Sequence, residues 1–178
     1  MLYDQVAGDS EYGGGDETKR RFYDNSISVF VRVDASWKKQ VIRRILQELS
    51  SLTHLRFDET NTIRECQIHI IEEDWVAFRS KNSLTSEMDE PWGFAIAGHE
   101  IDGTIRNSRV FISKHVPKKQ FENVAREEIT QCLGLLNDTS DDAYGFSIFS
   151  EHKSPGFKYE HAGGFHKQDA GVIMKHYS

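Results

Sequence analysis

Glu127, Glu128, Gln131, Asn137 and Asp138 fall within one short stretch, REEITQCLGLLND, residues 126–138. The apolar spacing predicts a helix from about Lys119 to Leu135, which Gly134 helps to end. On such a helix Phe121, Ala125, Cys132 and Leu136 share one face, with Ile129 at its edge, and Glu128 sits between Ala125 and Cys132. A carboxylate among apolar neighbours is costly unless it is paired, hydrogen-bonded or protonated, so Glu128 is a candidate general acid or base. Glu127 and Gln131 stand one turn apart on the flanking side, and the glycine turn allows Asn137 and Asp138 to fold back toward the same point. A plainer reading stands beside this one. The helix is then a capped amphipathic element whose acid pairs with an arginine such as Arg106 or Arg109. Asn137 and Asp138 would in that case brace the loop through side-chain to backbone hydrogen bonds.

The stretch resembles the metzincin zinc-peptidase motif, H-E-x-x-H-x-x-G-x-x-H, a helix followed by a glycine turn and a distant Met-turn. With Gly134 on the motif glycine, Glu127 takes the first histidine position, Glu128 the catalytic glutamate, Gln131 the second histidine and Asn137 the third. Ser147-Ile148-Phe149 resembles the Met-turn, with Phe149 where methionine would stand. The resemblance covers residues 22–178. It implies an α+β zincin fold: a small, mostly parallel sheet, a backing helix, an active-site-type helix and a C-terminal helix. EEITQCLGLLND followed by SIF also resembles a bacterial family, domain of unknown function 2927. Its members are usually secreted or envelope-associated, which implies an extracytoplasmic location for this chain.

The departures from the peptidase motif change the chemistry it could support. Catalytic zinc needs three protein ligands and an open water position, with imidazole usually dominant. Glu127, Gln131 and Asn137 offer one carboxylate and two amide oxygens, a hard and weak set ill suited to zinc. No cofactor is expected, and at most a weakly bound divalent metal on Glu127, Gln131, Asn137 and His152. His152 is included because it follows the Ser-Ile-Phe turn closely. No two of the eight histidines have the four-residue spacing that places two ligands on one helix face. Nucleotide loops and the serine-hydrolase elbow are absent from the sequence. Cys132 reads as core rather than nucleophile.

The elements that must position these groups follow from periodicity. Residues 1–21, with Gly13-Gly14-Gly15, read as a flexible leader, and residues 22–178 as one domain. Residues 26–33 and 66–73 read as strands, as do 92–97 and 105–113. Trp37, Val41, Ile45, Leu49 and Leu52 mark a helix that Asp34 or Ser36 could cap. A last helix starts near His166. The basic cluster Lys19-Arg20-Arg21 reads as a solvated hinge. A net charge of -6, from 22 basic and 28 acidic residues, argues against a nucleic-acid partner. No apolar run is long enough to form a transmembrane segment. Cys66 and Cys132 fit either free thiols or one disulfide.

Two functions are compatible with these residues. One is a non-catalytic domain that binds a peptide or cell-envelope polymer along a strand edge. The other is an atypical peptidase-like hydrolase, with Glu128 as general acid or base and Glu127, Gln131, Asn137 and Asp138 holding water, metal or substrate.

Overall fold

The computed structural model of the chain describes residues 1–7, 19–81, 91–138, 147–150 and 164–178. Its frame is a five-stranded sheet in the order β2-β1-β3-β5-β4. The strands are β1 (Ser26–Arg32), β2 (Arg56–Glu59), β3 (Ile68–Glu73), β4 (Gly93–His99) and β5 (Ile105–Ser113). β1, β2, β3 and β5 run parallel, and β4 runs antiparallel to β5 at one edge. The helices are α1 (Leu2–Val6), α2 (Ser36–Leu52), α3 (Trp75–Lys81), α4 (Phe121–Gln131) and α5 (Lys167–His176), with a short 3-10 turn at Ile63–Glu65. The domain is therefore a mixed α/β structure on a mostly parallel sheet.

The two-residue period of the strands sorts side chains between two faces. Ile27, Val29 and Val31 of β1, Ile68 and Ile70 of β3, and Val110 and Ile112 of β5 join the main core with buried residues of α2, α4 and α5. Ile42, Ile45, Leu46 and Leu49 give α2 its buried stripe. On the other face Ile71 and Phe111 form a smaller cluster with Trp75 and Phe78 of α3, against which Phe94 and Ile96 of β4 pack.

Several expectations change. Residues 2–6, expected within a leader, form α1, whose Leu2 and Val6 are buried in the main core. Arg20, expected in a solvated hinge, is only 3% exposed, because the chain here runs beneath α5. Residues 8–18, including Gly13 to Gly15, lie outside the described residues. Neither expected cap serves α2. The cap position is Ala35, without a side-chain hydrogen bond. Asp34 instead accepts from Lys38 at 2.8 Å, while its amide donates to the buried Glu72 at 3.0 Å. β2 and α3 were not foreseen. β2 has a single half-buried position and so no alternation to read, and α3 spans only seven residues. Cys66 and Cys132 are both free thiols.

Candidate functional site on α4

α4 forms where the sequence pattern places it, although its last regular residue is Gln131 rather than Leu135. Phe121, Ala125 and Ile129 are fully buried, as is Cys132 just past the helix end. Glu128 shares that face and is 8% exposed. What covers it is the start of the edge strand β4. A Cβ built on Gly93 would lie 2.4 Å from both Cγ and Oε1 of Glu128. The absence of a side chain at residue 93 is what lets the carboxyl lie against the strand. Burial pushes the neighbouring Cys132 thiol well above its usual range, and the Glu128 charge pushes it the same way. Cys132 is therefore a protonated core residue rather than a nucleophile.

The turn that ends α4 is tied to both ends of the described chain. Gly134 adopts φ 105°, the left-handed region that favours glycine. A Cβ there would also fall 1.8 Å from the Arg20 carbonyl oxygen. His176, at the end of α5, donates through Nε2 to that carbonyl at 2.7 Å, and its Nδ1 lies 3.5 Å from the Tyr3 hydroxyl. This arrangement suits a neutral imidazole. Burial pushes His176 down to about 4, with Lys19 and Arg21 acting in the same direction. Two carbonyls just past the end of α4 find side-chain donors: Ser108 Oγ donates to Cys132 at 2.9 Å, and Tyr177 OH to Leu133 at 2.8 Å.

The oxygen-bearing residues converge only in part. Gln131 Nε2 donates to Asp138 Oδ1 at 2.8 Å, so these two do meet after the turn. Asn137 is taken up by α1: its Nδ2 donates to the Gln5 carbonyl at 3.2 Å and its amide to the Val6 carbonyl at 3.4 Å. Asn137 Oδ1 is buried without a hydrogen bond among the described residues, and Glu127 is half-buried on the flank of α4. Zinc does not fit this donor set. It would meet one carboxylate and two amide oxygens with no imidazole. Calcium would want six or more oxygens. Among the described residues no group of three or more His, Cys, Asp or Glu side chains is gathered as a metal ion would require. His152 lies outside the described residues, as does His161. The two arginines suggested as partners of Glu128 have these placements. Arg106 pairs with Glu100 at 3.3 Å, and Arg109 lines the opposite face of the sheet.

Ser147-Ile148-Phe149 is held by a residue that the sequence reading passed over. Asp169 of α5 is fully buried. Its carboxylate accepts from Ser147 Oγ at 2.6 Å and from the Ile148 amide at 3.3 Å. Ser147 Oγ in turn accepts from the Phe149 amide at 3.1 Å, which closes the turn. Phe149 is thereby placed in the same core as Ile129 and Cys132. An acid in the first turn of a helix was the available signal, but such acids usually serve the helix dipole.

Arg126 was also missed, and it is the largest fully buried side chain among those described. It pairs with Glu48 of α2 and, at 2.9 Å, with Glu122 one turn earlier on α4. Its guanidinium lies 4.6 Å from the Phe165 ring centroid. Arg44 of α2 reaches Glu122 at 2.5 Å, so two arginines and two glutamates fasten α2 to α4. The Glu122–Arg126 spacing was the legible part of this cluster.

This structure defines a mixed α/β domain whose α4 site is built around one buried acid. The chain belongs to the family described as a protein of unknown function, DUF2927, whose model matches residues 2–159. The match therefore takes in α1, the sheet, α4 and the Ser147–Phe149 turn, and it stops before α5. No curated protein matches the chain.

Proposed function

We propose that the chain is an extracytoplasmic, metzincin-like domain that binds an extended peptide or cell-envelope polymer without cleaving it. The observation that carries this reading is the placement of Glu128, the position a peptidase would use as general base. It is 8% exposed and lies under Gly93 of β4, against the strand that would receive a ligand. Gln131 and Asn137, in two of the three zinc-ligand positions, engage Asp138 and the α1 backbone. The strand order supports a metzincin-like frame, since an antiparallel edge strand borders the helix that carries the motif. Among the described residues no further strand joins the outer edge of β4, whose backbone groups could pair with an added strand.

The test is to incubate the protein with a random decapeptide mixture and with purified cell-wall polymer, measuring retention and product release together. Saturable retention without products, unchanged in Glu128→Gln, is the expected result. Product release that disappears in a correctly folded Glu128→Gln variant would overturn it in favour of the atypical hydrolase.

A further inference from the structure

The face of the sheet opposite α4 carries a cavity of about 370 Å³, within the size range of small-molecule sites. Strand alternation builds it. Residues 69, 71 and 73 of β3 turn away from the main core, and β-pairing sets His69 beside Arg109 and Ile71 beside Arg32. Ile63, which is 48% exposed, supplies the open part of an apolar wall whose base is Ile71 and Phe78, while Arg32, Lys81 and Arg109 supply cationic lining.

Among the described residues that line the cavity, three are cations and one is a carboxylate, in a chain whose net charge is -6. That carboxylate, Glu73, accepts from Arg32 at 3.4 Å and from Lys81. It already shows the chemistry that this surface holds: a carboxylate shared between a guanidinium and an ammonium. His69 reports the same field. Burial, with Arg32 and Arg109 acting in the same direction, pushes it down to about 4. Its ring packs edge-on to Phe30, with centroids 5.3 Å apart, and its buried Nε2 has no hydrogen bond among the described residues. A neutral imidazole with an unused nitrogen, beside cations and an apolar wall, is an unfinished polar contact.

We propose that this cavity binds a small organic carboxylate with a short apolar tail, its head among Arg32, Lys81 and Arg109 and its tail along Ile63, over Ile71 and Phe78. Cations alone would suit an inorganic anion equally well. The apolar wall is what selects an organic ligand, and Glu73 competes with the ligand's head for Arg32 and Lys81.

Calorimetric titration of the full chain with octanoate tests this, with octan-1-ol and octylamine as matched neutral and cationic probes. Octanoate should bind saturably at one site, and each control at least about tenfold more weakly, as expected for a charge-selective pocket. Arg32→Gln with Arg109→Gln should weaken octanoate binding by about tenfold or more, and Lys81→Gln by several-fold. Glu73→Gln should tighten it, a direction that simple loss of structure does not produce. Lys81 is 58% exposed along its side chain, so its variant should remain folded if the double arginine variant does not. Equal binding of octan-1-ol, absence of saturable octanoate binding, or unchanged affinity in both Lys81→Gln and Glu73→Gln would each overturn the proposal.

Discussion

Gly93 and Glu128 occupy a space that has room for only one side chain. The carboxyl group of α4 lies where a methyl group on β4 would project, 2.4 Å from its atoms. The edge strand and the acid are thus one packing unit, and a change to either is felt by the other.

Gly93→Ala should therefore destabilise the fold by about 1–3 kcal/mol, the usual range for overpacking. In a Glu128→Ala background the same substitution should cost much less, giving a coupling energy of roughly 0.5–3 kcal/mol. Urea denaturation of the four proteins of this cycle measures it. Additive costs would show that the strand and helix pack independently.

His176 should make stability depend on pH. Its folded pKa is about 4, against an ordinary 6.5, so between these values the unfolded chain binds the extra proton. The stabilisation is fully present above pH 6.5 and is lost as pH falls toward 4, by at most roughly 3 kcal/mol. Half-buried His69 is lowered in the same way and adds a smaller contribution of the same sign. His176→Gln keeps a donor for the Arg20 carbonyl but cannot titrate. Its denaturation midpoint should fall less steeply between pH 7 and pH 4.5. An unchanged slope would remove His176 as the cause.

Arg126 should be more sensitive to loss of volume than to loss of charge. Arg126→Ala leaves a cavity and separates Glu48 and Glu122 from their shared cation, at a cost of about 3–5 kcal/mol. Arg126→Met fills most of the space. The two glutamates keep 25% and 28% of their side-chain surface and can turn to water, so the methionine variant should lose less than half as much. Thermal unfolding of the two variants compares them directly. Equal losses would mean that the ion pairs, rather than the packing, dominate.

What the sequence disclosed follows from how local each signal was. Ile27, Val29 and Val31 alternate strictly, and the pattern predicts β1 because burial has the period of the strand itself. Glu128 could be placed on the buried face of α4 for the same reason, with a helical period. The group that covers it, Gly93, is 35 positions away and carries no side chain to advertise the contact. Asn137 was expected to fold back toward Gln131, as Asp138 does. It turns instead to the backbone of α1, an element too short to show a period. Asp169 and Arg126 escaped because a buried charge is recognisable only once its partners have been brought together.

The contact between Tyr3 and His176 spans 173 positions of the chain. During synthesis, Leu2 and Val6 leave the ribosome long before α5 exists to cover them. Their apolar surface stays incompletely covered until α5 is in place. The seam between α1 and α5 is a long-range contact, which can form only after the elements that separate the two helices in sequence have been made.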